Sequence, residues 1–211
     1  MSIAYKISGF NRRRKWKLFW EIIKPRPEEK ILDVGFSEIE YSPTDNFLEK
    51  NYPYLEQVTA LSVDLPKEFS RRYPRAKAVV YDGREFPFPD NSFDVSWSNA
   101  VLEHVGGRES QTRFLKEIYR VSRRAFITTP NRFFPFEIHT RVPLLHLFLS
   151  KKLFDKFLCF VGKQWAAGDY LNLLSESQLR RLLSAAGVKN YKIIKNKLLG
   201  FTLDFVVVWN K

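Results

Sequence analysis

Short apolar runs punctuate the chain at KILDV (30–34), ALSVD (60–64), AVVYD (78–82), FDVSW (93–97) and AFITT (125–129). Each has the length of a buried strand, and helical stretches separate them, an alternation that predicts parallel βαβ units. Between the last two runs, Phe114, Leu115, Ile118 and Val121 recur at helical spacing within residues 108–122. That spacing predicts a helix with one apolar face, packed on the sheet. With helices on both faces, the expected class is α/β, a Rossmann-like three-layer sandwich.

Toward the C-terminus the pattern changes. SESQLRRLLSAAG (175–187) carries Ser175 with Gln178 three residues on and Gly187 as a stop, the signature of a capped helix. YKIIKNK (191–197) and LDFVVVWNK (203–211) are β-rich and joined by a short glycine-containing connection, which predicts a hairpin rather than another crossover. A mostly parallel sheet therefore ends in an antiparallel C-terminal hairpin. Two segments fall outside this scheme. A basic helix at about 10–24 gathers Trp16, Phe19, Trp20 and Ile23 on one face, and an apolar, lysine-punctuated insertion spans about 142–162. Both suit a lid or a membrane-surface element as well as plain packing on the domain.

Length and composition narrow the class. The 211 residues, 45% hydrophobic, suffice for one domain with a sizeable core, and a single domain over 1–211 is expected. The single Cys159 leaves neither a disulfide framework nor a cysteine-based metal site, and no metal is expected. No apolar run approaches the roughly 20 residues that span a bilayer, so a soluble, cytoplasmic protein is expected. The formal charge of +12 favours an anionic neighbour: nucleic acid, a membrane surface or a phosphorylated substrate.

In open α/β sheets, ligands bind beyond the carboxyl ends of the strands. There the chain places Asp33 and Gly35, Asp64, Asp82 and Gly83, and then Ser98 and Asn99. A lone strand-end Asp is most often a turn or cap residue. Asp64 and Asp82 together suggest a cleft that hydrogen-bonds a nucleoside, one acid on ribose hydroxyls and one on an exocyclic amine.

The order ILDVG, LSVDLP, VVYDGREFPFPDNSFDVSWSNAVLEHVG and AFITTPNRFFP resembles the class I S-adenosylmethionine-dependent methyltransferases, in particular their broad small-molecule group with a type 11-like domain. The resemblance covers about residues 28–131 and is most specific over 82–105. It implies a seven-stranded sheet and S-adenosylmethionine as cofactor. It places Asp33 and Gly35 beside the methionine moiety, Asp64 on the ribose, Asp82 on the adenine amine, Gly83 and Arg84 at the adenine edge, and Asn99 in the transfer pocket, with Ser37 as a further cofactor-binding candidate in the first loop. Catalysis in such enzymes is mainly alignment of an acceptor for in-line attack, with a base needed only when the acceptor has a proton to lose. His104 and His139 are the candidate bases.

The first loop departs from the family's D-x-G-x-G-x-G, carrying Ser37 and Ile39 in place of its last two glycines. Ser42, Pro43 and Asp45 read as a helix start near Pro43, giving a longer turn over about 35–42 that could approach a ligand without three glycines. Glu38, Glu40 and Asp45 lie where a dinucleotide would put its diphosphate, which disfavours an NAD site.

The acceptor is less legible. SNAV after the fourth strand lacks the NPPY-like tetrad of base-amino methylation, and TTPNRFFPFEIHT (128–140) resembles a stretch of bacterial methyltransferases of cell-surface glycan and lipid pathways. The leading expectation is methyl transfer to a small-molecule or glycan/lipid-linked acceptor, with peripheral contact at the inner face of the membrane through the basic helix and the insertion. A catalytically inactive methyltransferase-like binding module and an RNA methyltransferase are the alternatives. Nucleic acid is the less favoured partner, and the oligomeric state stays open.

Overall fold

The structure, a computed structural model, describes residues 3–135, 142, 144–168 and 171–211. Its elements run α1 (Ile3–Ile22), β1 (Ile31–Val34), α2 (Phe47–Asn51), β2 (Val58–Ser62), α3 (Lys67–Arg72), β3 (Lys77–Val80), β4 (Phe93–Asn99), α4 (Arg108–Val121), β5 (Ser122–Pro130), α5 (Leu145–Phe148), α6 (Lys151–Phe160), α7 (Glu176–Ala185), β6 (Tyr191–Leu198) and β7 (Phe201–Asn210). The strands form one seven-stranded mixed sheet, ordered β3-β2-β1-β4-β5-β7-β6, with β7 antiparallel. The Rossmann-like α/β fold expected from the hydrophobic pattern is the fold present.

By packing, the chain divides into two compact units interleaved in sequence: residues 1–98, 117–126 and 209–211, and residues 99–116 and 127–208. In the first unit β1 pairs in parallel with β2 and β4, with Asp33 opposite Ala60 and Trp97, and β2 pairs with β3. Every residue of β1 is buried, which is why its sequence is an unbroken apolar run around one acid. Helix α1 begins seven residues ahead of its expected start, and its aromatic face closes the core. The Phe19 ring lies 5.0 Å from Trp97 and 5.5 Å from Phe126, and Trp16 packs edge-on to Trp97. The residues that suggested a lid or membrane face on this helix are thus committed to packing, each aromatic burying on the order of 150–250 Å².

In the second unit, α7 has the predicted capping box: Ser175 Oγ accepts from Gln178 N–H, and Gln178 Oε1 accepts from Ser175 N–H. Gly187 follows at φ 73°, the left-handed stop that glycine permits at least cost. Leu199 and Gly200, at φ 49° and 83°, connect β6 to β7 with the two positive dihedrals of a type I′ turn. The 142–162 insertion contains α5 and α6, and its Val142, Phe154 and Leu158 are buried in a small core together with Ala166 just beyond it.

The expected helix start at Pro43 is corrected. Residues 43–46 form a turn in which Asp45 Oδ2 accepts from the backbone N–H groups of Tyr41 and Ser42. Asn46 then adopts a left-handed conformation, φ 48° and ψ 49°, so the helix can begin only at Phe47. Strands β2 and β3 also stop earlier than expected, leaving Asp64 and Asp82 each two residues beyond their strand.

Candidate functional site

The first unit gathers most of the predicted cofactor residues at the carboxyl ends of β1, β2 and β3. Gly35 N–H donates to Leu61 O at 2.8 Å and Tyr81 N–H to Ser62 O at 3.1 Å, so the ladder continues one residue past each strand before the chains turn away. Gly35 sits at φ 103°, a conformation that strongly favours glycine. Ser37 and Ile39 keep negative φ, so the loop needs no glycine there.

Three other devices hold the loop. Phe36 is buried and stacks on Phe69 with ring centroids 4.2 Å apart. The Glu38 carboxylate accepts from the N–H groups of Glu68 and Phe69 at the start of α3. Asn46 brackets Ser37, accepting its N–H and donating to its carbonyl, both at 2.8 Å. Ser37 can therefore offer a ligand its hydroxyl but not its N–H.

The acidic residues of this loop have local partners. Glu40 pairs with Lys50 at 2.8 Å and accepts from Tyr73 Oη at 2.6 Å and from Asn46. Burial pushes its carboxyl up, but hydrogen bonds from Lys50, Tyr73 and Asn46 outweigh that and hold it below the usual range. With Glu38 and Asp45 bonded internally as well, the expected repulsion of a diphosphate loses its basis in local charge, and loop shape becomes the stronger discriminator.

Asp33 is only 6% exposed, and its carboxyl faces that of Glu49, 2% exposed on α2. Burial raises Asp33 to about 6 against the pull of the Glu49 contact and the Arg12 charge. Glu49 is pushed well above the carboxylate range by burial and then by the Asp33 charge. Burial and mutual charge thus disfavour ionising both carboxyls at once. The Glu49 oxygens have no hydrogen-bonding partner of good geometry among the described residues.

Asp64 is exposed. Its N–H is turned back onto Ser62 Oγ, and no side-chain partner takes its carboxylate among the described residues. Asp82 Oδ1 accepts from the N–H groups of Arg84 at 2.8 Å and Glu85 at 3.4 Å, so half of this carboxylate builds a turn. Gly83 makes that turn at φ 80°, and a Cβ there would lie 3.6 Å from Val63 Cγ1. The Asp64 and Asp82 loops are therefore neighbours, and Gly83 is required for its dihedral rather than for space.

In the second unit, Asn99 closes β4 and accepts from Thr128 Oγ1 at 2.9 Å, while its buried amide nitrogen has no acceptor among the described residues. Ala100 follows at φ 59°, a strained conformation fixed by its N–H bond to Thr128 O. His104 Nε2 lies 3.9 Å from Glu103 Oε1, and Glu103 is fully buried with its other oxygen accepting from Thr129 Oγ1. His139 falls outside the described residues. Sequence reasoning missed Asn46, Glu49, Ala100 and Glu103. Only Glu103, in the EH pair, carried a signal that could have been followed.

Comparisons with known proteins bear on the family and the fold. Residues 44–125 match the model of a family described as a methyltransferase domain. That match includes Asp64, Asp82, Gly83, Arg84, Asn99 and His104, and begins downstream of the unusual loop. Over 103 residues, 45% of the chain, the sequence is 32% identical to glycine/sarcosine/dimethylglycine N-methyltransferase of Actinopolyspora halophila, and over 64 residues, 29% of the chain, it is 39% identical to a probable S-adenosylmethionine-dependent methyltransferase of Mycobacterium tuberculosis. These matches span only 17% and 22% of those relatives' lengths. Among solved structures, a SAM-dependent methyltransferase from Methanosarcina mazei is similar at TM-score 0.57 and 18% identity, covering 89% of this chain and 94% of that one. The 1,6-didemethyltoxoflavin-N1-methyltransferase of Burkholderia thailandensis, solved with 1,6-didemethyltoxoflavin and S-adenosylhomocysteine, is similar at TM-score 0.56 and 17% identity, covering 95% of this chain and 78% of that one. Residues 44–125, with Asp64, Asp82 and His104 among them, are thus similar to the methyltransferase domain family, and the chain has the fold of the class I S-adenosylmethionine-dependent methyltransferases.

Proposed function

We propose that this chain transfers the methyl group of S-adenosylmethionine to a small-molecule acceptor. The observation that carries the reading is the pair of neighbouring strand-end loops in the first unit, one presenting the unpartnered Asp64 carboxylate and the other an Asp82 carboxylate with only Oδ1 tied down. Both lie within the matched family segment. These residues fit an adenosine: Asp64 for vicinal ribose hydroxyls, Asp82 Oδ2 for the exocyclic amine, with Gly83 and Arg84 at the ring edge. Gly35 and the Ser37 hydroxyl serve the methionine end, and the buried amide nitrogen of Asn99 is a donor in want of an acceptor. Asp33 acts as a positioning residue through Glu49.

Bound S-adenosylmethionine supplies an electrophilic sulfonium methyl, so the protein has to orient an acceptor and exclude water. Where the acceptor carries a proton, His104 takes it at Nε2, and the buried Glu103 carboxylate stabilises the imidazolium that results. His139 is the second candidate for that proton.

Small-molecule chemistry is supported by the relatives, a glycine/sarcosine/dimethylglycine N-methyltransferase and a structure solved with 1,6-didemethyltoxoflavin. The finer reading is a glycan- or lipid-linked acceptor at the inner face of the membrane. Its support is α6 and its flank, where Phe148 is 80% and Phe160 90% exposed beside Lys152 and Lys156. Among the described residues no helix is long and apolar enough to cross a membrane, so any such contact is peripheral. Retention of the protein on phosphatidylglycerol vesicles, lost on Phe160→Ser, is the expected outcome; vesicle binding indifferent to that change would remove the membrane from this reading.

Calorimetric titration with S-adenosylmethionine, S-adenosylhomocysteine and NAD tests the function. Micromolar binding of the first two and none of the third is expected. No binding of any would favour the inactive binding module, which the occupied Ser37 N–H supports. An RNA acceptor rests on net charge alone, and only methyl transfer to RNA would sustain it.

A further inference from the structure

The second unit contains a cavity of about 280 Å³ that none of the cofactor residues lines. Around it stand Arg108, Arg132, Lys151 and Arg181, together with Gln111 and Asn172, and among the described residues no acidic side chain lines it. Four cations around one concavity create a local positive potential that attracts an anion.

Local carboxylates neutralise the arginines nearby in sequence. Arg113 pairs with Glu109 at 3.0 Å and Arg180 with Glu176 at 2.7 Å, and both pairs are of the i,i+4 type. Arg108, Arg132 and Arg181 have no such partner among the described residues. Lys151 is partly compensated, by Asp155 at 3.2 Å and by the carbonyl of Gly168. The uncompensated charge at the cavity is thus carried by three guanidinium groups, the side chain best shaped for bidentate binding of phosphate oxygens.

The cavity wall is also built. Arg132 N–H donates to Leu174 O at 3.0 Å, just past the bridge between Asn131 and Leu174. Gln111 is almost fully buried and donates from Nε2 to Leu102 O at 3.2 Å and Asn172 O at 3.0 Å, and Asn172 N–H donates to Glu103 O at 2.8 Å. The wall and the turn carrying Glu103 and His104 therefore share one hydrogen-bonded scaffold within this unit.

We propose that this cavity is an anion subsite that takes a phosphate or diphosphate group, and that the group belongs to the acceptor. The second clause rests on the proposed methyl transfer; the first does not. The volume lies just under the roughly 300–1,000 Å³ of ordinary ligand pockets, enough for a phosphorylated sugar head rather than a lone ion. A free sugar phosphate and a lipid-linked phosphate head group present the same chemistry to these arginines.

The test is titration of the full chain with inorganic pyrophosphate, glucose 1-phosphate and phosphatidylglycerol vesicles, with glucose as the neutral control. Arg132→Gln and Arg181→Gln are compared with Arg180→Gln, which removes the same charge from a neighbouring residue already paired with Glu176. Binding of pyrophosphate and glucose 1-phosphate, weakened at least tenfold by the first two variants and less than twofold by the third, is expected for a free phosphorylated acceptor. Binding to vesicles alone, with the same dependence on the variants, assigns the subsite to a lipid head group. Equal weakening by all three variants would reduce the effect to the general field of a +12 chain, and absence of anion binding to the wild type would overturn the proposal outright. S-adenosylmethionine is titrated into the same variants: unchanged cofactor affinity with lost anion binding separates the subsite from the cofactor reading. Anion binding without cofactor binding would overturn methyl transfer while leaving the subsite standing.

Discussion

Asn46 brackets the backbone of Ser37, its side-chain oxygen accepting the N–H and its nitrogen donating to the carbonyl, each at 2.8 Å. The contact does for the first loop what glycines do elsewhere, fixing the path of the chain by a clamp from outside instead of by dihedral freedom within. Asn46 is also one of the few non-glycine residues at positive φ, a conformation that asparagine tolerates.

Asn46→Ala should therefore remove the clamp and strain the backbone together. Leaving two partly buried backbone groups unpaired costs about 1–3 kcal/mol, and S-adenosylmethionine affinity should fall at least tenfold. Asn46→Gly relieves the dihedral but not the lost bonds, so it should recover part of the stability and little of the affinity. Thermal denaturation and calorimetric titration of the two variants check this, and full affinity in Asn46→Ala would show that the loop is not held from Asn46.

The clamp also marks where sequence stops being readable. The strands were legible because burial on both faces demands unbroken apolar runs, as in Ile31–Val34, and the final helix because Ser175 and Gln178 lie at a spacing that few other structures require. Ser42 and Asp45 have the same spacing, and there the inference failed: they bond to each other as a capping pair would, yet Asn46 turns the chain before a helix can continue. Glu49 was illegible for a different reason. In FLEKN a glutamate looks like the solvated face of a short helix, and only the fold reveals that it points at Asp33. Glu38 and Glu40 looked like charges awaiting or repelling a ligand because their partners, α3 N–H groups and Lys50, Tyr73 and Asn46, are set by tertiary structure.

The buried Asp33 and Glu49 carboxyls should make stability fall as the pH rises. Both have folded-state values raised above those of the unfolded chain, Asp33 to about 6, so their favourable contribution is complete below about pH 4 and is lost as the pH passes through 6 and beyond. Glu49→Gln removes one of the two charges at nearly constant shape. Relative to wild type it should raise Tm at pH 8, by an amount equivalent to on the order of 1–3 kcal/mol, with the two profiles converging near pH 4. A variant destabilised at pH 8 but not at pH 4 would mean that the pair is stabilised in its ionised form.

Asp64 and Asp82 should separate binding from folding to different degrees. Asp64→Ala deletes an exposed carboxylate that has no partner among the described residues, so Tm should hold while S-adenosylmethionine affinity falls at least tenfold. Asp82→Ala also deletes the acceptor of the Arg84 and Glu85 N–H groups and should cost about 0.5–1.5 kcal/mol of stability besides affinity. Retained affinity in both would move the adenosine site away from these loops.

His104 and Glu103 give the sharpest test of mechanism, because a structural and a proton-transfer role predict different kinetics. His104 is partly exposed, and its Nε2 lies 3.9 Å from a carboxylate that is fully buried and anchored by Thr129. If the imidazole takes a proton from the acceptor, His104→Gln should lower kcat by roughly 10²–10⁴-fold on a hydroxyl acceptor while KM and S-adenosylmethionine affinity stay within twofold. Glu103→Gln leaves the base in place but removes the charge that stabilises the imidazolium, so its kcat should fall less than that of His104→Gln, again at constant KM. The double variant should be no slower than His104→Gln alone, since the carboxylate acts only through the imidazole. Additive losses would assign the two residues separate tasks, and full turnover in His104→Gln would remove the imidazole from the reaction.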